Sequence, residues 1–138
     1  MQYQNQNQQQ IAQIAQNIAK NCQKDQIILL KGDLGVGKTF FTQNFINYFD
    51  KKDICVTSPT FNIVHSYQFG EQIINHFDLY RIKDSEELEN IGFIELLCQG
   101  ISLIEWPQIV ENYLQHKKPL NIEINYANES NLRNVTII

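Results

Sequence analysis

The sequence predicts an α/β fold: a sheet with a parallel core and antiparallel strands, helices on both faces, in a single domain spanning residues 1–138. Three observations predict it. First, the apolar run Ile27-Ile28-Leu29-Leu30 leads into Gly32-Asp33-Leu34-Gly35-Val36-Gly37-Lys38-Thr39, which matches G-x-x-x-x-G-K-[ST], and helical spacing of Phe41, Phe45, Ile46 and Phe49 follows. A strand, a glycine loop and a helix are what a phosphate-binding loop needs, so the class narrows to a P-loop NTPase-like sheet. Second, two more apolar runs, Ile73 to Asp78 and Ile101 to Glu105, end in acids. Third, strand-like segments joined by short polar turns supply the antiparallel section.

Taken in order, the Gln/Asn-rich stretch from Gln2 to Gln10 reads as the frayed start of a helix. Ile11, Ile14, Ala15, Ile18, Ala19 and Cys22 give that helix one apolar face. The strand, loop and helix of the glycine motif come next. Ile54-Cys55-Val56 reads as a short buried strand. Thr57-Ser58-Pro59-Thr60-Phe61 reads as a loop, since Pro59 opposes helix there. Asn62 to Phe69 and Gln72 to Leu79 are strand-like and flank the two-residue turn Gly70-Glu71. Asp84 with Glu87 forms a capping-box pattern that opens a short helix ending at Gly92. Phe93 to Cys98 is a second short helix, stopped by Gly100. After the strand Ile101 to Glu105, Pro107 suits the first turn of a helix running to about Gln115. Leu120 to Tyr126 and Arg133 to Ile138 close the chain as two strands around a polar turn.

The formal net charge of −4 and pI near 5.3 describe an ordinary acidic, soluble protein. Nine lysines and only two arginines, Arg81 and Arg133, give no basic face for general nucleic-acid binding. No apolar run approaches a membrane span, and the N-terminus lacks signal-peptide regions, so no membrane association and a cytoplasmic location are expected. Cys22, Cys55 and Cys98 are scattered and form no C-x-x-C; they read as reduced and mostly buried.

The glycine motif carries its chemistry in its residue types. Glycine backbone approaches a phosphate without a Cβ in the way, and successive N–H groups form an anion nest at a helix N-terminus. Asp33, Leu34, Gly35, Val36, Gly37, Lys38, Thr39 and Phe40 are therefore expected to bind the nucleotide. Lys38 should reach the β- and γ-phosphates and the Thr39 hydroxyl should ligate Mg²⁺. An NTPase also needs acids to hold the metal and position a water. Asp78 and Glu105, each closing an apolar strand, are the candidates, with Trp106 following Glu105 directly. Thr60 is placed where a switch loop would close on the γ-phosphate. His76 reads equally as a packed strand histidine or a catalytic group.

Together these segments resemble one family. Gly-Asp-Leu-Gly-Val-Gly-Lys-Thr (32–39), Thr-Ser-Pro-Thr-Phe (57–61), His-Phe-Asp-Leu-Tyr-Arg (76–81), Glu-Glu-Leu-Glu-Asn-Ile-Gly-Phe (86–93) and Ile-Glu-Trp-Pro (104–107) occur in the order and spacing of the bacterial TsaE (YjeE) ATPases. The resemblance covers nearly the whole chain. It implies a small cytosolic ATPase, with ATP and Mg²⁺ as cofactors, that supports synthesis of threonylcarbamoyl-adenosine in tRNA. Its implied partners are TsaB and TsaD, where TsaD performs the transfer and tRNA is met only through the complex. On this resemblance Lys38, Asp78 and Glu105 form the catalytic set, and Thr39, Asp78 and Glu105 lie at the metal. Thr60 and Trp106 carry over as switch and site-wall residues. Gln108 stands where the family often has an acid after Trp-Pro, so no acid is carried over there. The Gln/Asn-rich N-terminus differs from relatives rich in Ser, Thr and Glu, so no base-contacting residue is carried over from it.

Three other readings compete. A small-molecule kinase would usually bring a mobile lid and several arginines, and two arginines argue against it. A GTPase would carry an N-K-x-D segment; its absence favours adenine. A nucleotide-dependent interaction switch overlaps with the family role, and the residues do not separate the two.

Overall fold

The computed structural model describes residues 1–50 and 63–138. The expected strand at Ile54 to Val56 and the loop at Thr57 to Phe61, with Thr60, lie outside the described residues. Two compact units are distinguished, and the strand Ile27–Lys31 (β2) runs from one into the other.

In the first unit, β1 (Gln2–Gln6), β7 (Arg133–Ile137), β6 (Leu120–Tyr126) and β2 lie in that order. β1 pairs antiparallel with β7, and β7 with β6. The strand at Gln2–Gln6 corrects the expected helix start. A segment with no apolar alternation has no strand signal of its own, but its backbone groups find a ladder on β7. The helix α1 (Gln8–Asn21) begins only after Asn7, whose side chain accepts from Gln10 N–H while the Gln10 side chain accepts from Asn7 N–H. This amide pair replaces the usual hydroxyl and carboxylate of a capping box. Ile11, Ile14, Ala15 and Ala19 are the buried face of α1, as the spacing predicts. α1 packs on α2 (Lys38–Phe49), which buries Phe41, Phe45 and Ile46.

In the second unit the order is β2, β5 (Ile101–Glu105), β4 (Gln72–Asp78), β3 (Val64–Phe69). β4 runs parallel to β5 and antiparallel to β3. The fold is thus a mixed α/β sheet, as predicted. Phe69 pairs with Gln72, so Gly70 and Glu71 are the two-residue turn expected from the sequence. The apolar core gathers Ile27, Leu29, Phe77, Leu88, Phe93 and Ile104, among others. α3 (Ser85–Asn90) opens with the predicted Asp84/Glu87 capping box, and α4 (Phe93–Leu97) follows. The helix expected from Pro107 to about Gln115 is broken into pieces. Pro107–Ile109 and Gln115–Lys117 are 3₁₀ turns and only α5 (Glu111–Leu114) is α-helical. Cys98 is exposed rather than buried, because it caps α4 just before the turn to Gly100, while Cys22 is half-buried.

Candidate functional site

The glycine loop connects β2 to α2 within the first unit, with Lys38 and Thr39 opening the helix. Two glycines are required by geometry. Gly32 has φ +148°, and a Cβ there would collide with the Ile124 carbonyl oxygen and lie 2.7 Å from Val36 Cγ1. Gly37, the residue before α2, has φ +119°, a value side chains rarely permit. Lys38 is buried, and its Nζ donates to the carbonyls of Gly32 at 2.6 Å and Asp33 at 2.9 Å. The side chain therefore folds back over its own loop and places a positive charge there.

Two residues that the sequence reading missed brace this loop. Tyr126 Oη donates to the Leu34 carbonyl at 3.2 Å. Arg133 Nε donates to the Val36 carbonyl at 2.9 Å, and its guanidinium lies 4.5 Å from the centre of the Tyr126 ring. Both come from the terminal hairpin, β6 and β7, far from the motif in sequence. Among the two arginines, sequence proximity favours Arg81; yet Arg81 is exposed, and Arg133 is the one held on the loop backbone.

The acids lie in the second unit. In the parallel pair β4/β5, Asp78 stands opposite Glu105. Neighbouring strands lie about 4.8 Å apart, so the two acids end adjacent strands side by side. Strand alternation puts His76 on the same face as Asp78, while Phe77 and Ile104 go to the core face. His76 Nε2 then meets Glu105 Oε2 at 2.5 Å, both groups buried. His76 Nδ1 has no hydrogen-bond partner among the described residues. Asp78 Oδ1 accepts from Tyr80 N–H at 3.1 Å, and Leu79 N–H donates to the Glu105 carbonyl at 3.1 Å, tying the two strand ends together. Trp106 follows in the left-handed region (φ 56°, ψ 58°), which proline as the next residue also disfavours, and its ring centre lies 4.8 Å from that of Tyr80. Such strain costs about 1–3 kcal/mol and persists where surrounding structure imposes it.

The structure therefore brings Asp33 to Phe40 together on one loop and helix start, and Asp78, Glu105, Trp106 and His76 together on two strand ends. Among the described residues no group of three or more His, Cys, Asp or Glu forms a metal cage. No helix among the described residues is long and apolar enough to cross a membrane.

The structure defines a mixed α/β protein in which a glycine loop matching G-x-x-x-x-G-K-[ST] joins a buried strand to a helix. Comparison with known proteins narrows the class. The model of one family, described as threonylcarbamoyl adenosine biosynthesis protein TsaE, matches residues 5–135. The chain belongs to the TsaE family. It is 40% identical over 126 residues to the tRNA threonylcarbamoyladenosine biosynthesis protein TsaE of Rickettsia conorii, covering 91% of this chain and 70% of that protein. It is 37% identical over 117 residues to the protein of the same name from Bacillus subtilis, covering 84% and 72%. The crystal structure of Bacillus subtilis YdiB superposes with a TM-score of 0.72 at 28% identity, covering 99% of this chain and 83% of that one.

Proposed function

We propose that this protein is a cytoplasmic, Mg²⁺-dependent ATPase that serves tRNA threonylcarbamoyladenosine biosynthesis by binding the TsaB–TsaD pair. The observation that carries the reading is the glycine loop, with the buried Lys38 ammonium 2.6 Å and 2.9 Å from the Gly32 and Asp33 carbonyls. A buried lysine beside glycine backbone at a helix start suits an anionic ligand such as phosphate. Family membership supplies the pathway, since the TsaE relatives carry that biosynthesis in their names.

In this reading Asp33 to Phe40 bind the phosphates through loop backbone and the Lys38 charge. Thr39, Asp78 and Glu105 offer hard oxygen donors, and Mg²⁺ when bound would neutralise charge on the transferring phosphate. Glu105, held by His76, and Asp78 are the acids that hold the metal or orient the attacking water. Asp78 accepts from Tyr80 N–H at 3.1 Å, which orients its carboxylate. Trp106 walls the acids, and Thr60 is the switch. The low count of arginines makes turnover slow without a partner, and tRNA is met only through the complex.

The test is capture of purified TsaB–TsaD by the immobilised protein, with ATP, with ADP and without nucleotide. Nucleotide-dependent capture is expected. No capture in any state would remove the partnership and leave a nucleotide-binding protein of another pathway.

A further inference from the structure

α3, α4, the Pro107–Ile109 turn and α5 enclose a groove of about 380 Å³ in the second unit. Its floor is apolar, from Leu88, Phe93 and Val110, all buried. Its walls are apolar too, yet open to solvent: Ile94 is 45% exposed, Ile109 37% and Tyr113 52%. An apolar cleft with an exposed tyrosine and aliphatic walls has the make-up of an interface centre rather than of a packed surface. The polar groups lining it are Ser85, Glu89 and Glu95, and both glutamates are exposed.

The charged side chains that line the groove, Glu89 and Glu95, are both acidic, with Lys83 and His116 to Lys118 flanking in sequence the segment that builds it. From Asp84 to Gln115 the chain has seven acids and no lysine, arginine or histidine. Glu105 is buried against His76, but Glu86, Glu89 and Glu95 are exposed on α3 and α4. The next basic side chain, His116, rests edge-on to Tyr113 with ring centres 6.0 Å apart. Such a field repels nucleic-acid phosphate and favours a cationic protein segment.

We infer that this groove docks a protein segment carrying apolar side chains flanked by lysine or arginine. Resting on the reading above, that segment belongs to the TsaB–TsaD pair. The apolar side chains fill the space between Ile94, Ile109 and Tyr113. The flanking cations meet Glu89 and Glu95, which sets orientation and speeds encounter more than it adds affinity.

The experiment measures the affinity of purified TsaB–TsaD, with ATP and Mg²⁺, for the full chain and for Ile94→Asp, Tyr113→Ser and the double variant Glu89→Lys with Glu95→Lys. Calorimetric ATP titration of each variant is the fold control, since none of these residues is placed in the nucleotide machinery. Ile94→Asp and Tyr113→Ser should each weaken the complex about tenfold or more. The double lysine variant should bind more weakly at low salt and lose most of the salt dependence shown by the unmodified protein. Unmodified protein that binds the pair, with all variants binding equally, overturns the groove and leaves the partnership standing. Equal affinity for the lysine variant alone overturns the cationic occupant. No complex with the unmodified protein overturns the partnership, and the groove's occupant with it.

Discussion

His76 Nε2 and Glu105 Oε2 lie 2.5 Å apart in a buried pair that bridges β4 and β5. A carboxylate needs donors when it leaves water, and this imidazole supplies one. Removing it takes one donor away from a buried acid. His76→Phe should therefore lower stability by about 1–3 kcal/mol and lower ATP hydrolysis more than ATP binding. His76→Gln keeps a donor of similar reach and should recover part of both losses. Denaturant melts and phosphate release on the two variants check this. Equal hydrolysis in the phenylalanine variant and the unmodified protein would reduce His76 to packing.

Asp78→Asn and Glu105→Gln should each impair hydrolysis far more than nucleotide affinity. The two acids are paired across the parallel ladder, and each swap removes charge while keeping shape. A base or metal-orienting group acts mainly in the transition state, and its loss costs roughly 10²–10⁴ in rate. Single-turnover rates and calorimetric affinities, measured on the same preparations with partners present, separate the two effects. Normal hydrolysis in both variants would remove the acids from the chemistry.

Lys38→Ala should lower ATP affinity by about tenfold to a hundredfold, the worth of a charge-assisted bond to phosphate. Arg133→Ala should have a smaller effect, roughly fivefold, because it touches the loop only through the Val36 carbonyl. The order of the two losses in a Mg²⁺–ATP titration is the check. A larger loss from Arg133→Ala would move the phosphate charge from Lys38 to the arginine.

Trp106, the chain's only tryptophan, should report nucleotide. It is half-buried, follows Glu105 and lies against Tyr80. Closure of ligand on the acids changes its surroundings, so ATP or ADP should shift its emission. A flat titration at saturating nucleotide would put Trp106 outside the site.

The elements that local sequence dictates were legible. The apolar run before Gly32, the Gly70-Glu71 turn and the Asp84/Glu87 box each act within a few residues, and each formed where expected. Elements made by distant partners were not. β1 carries no apolar alternation and exists through its ladder with β7. Tyr126 and Arg133 reach the loop across 92 and 97 residues of chain, with no motif to announce them. His76 was visible as a strand residue, but its partner depended on the register of β4 against β5. Pro107 did start a helical turn, yet the expected single helix broke at Val110 into 3₁₀ and α pieces.

Steady-state phosphate release, with and without TsaB–TsaD, tests the central claim most directly. Beyond Lys38, the described cation on the glycine loop is Arg133, and its Nε donates to the backbone. A transition state short of positive charge is slow, and an arginine supplied in trans is worth roughly 10³–10⁵ in related NTPases. Slow turnover alone, a large increase on adding the pair, and loss of that increase in Glu105→Gln are expected. Equal rates with and without the pair would contradict the claim, leaving either a self-sufficient ATPase or a protein whose nucleotide serves another pathway.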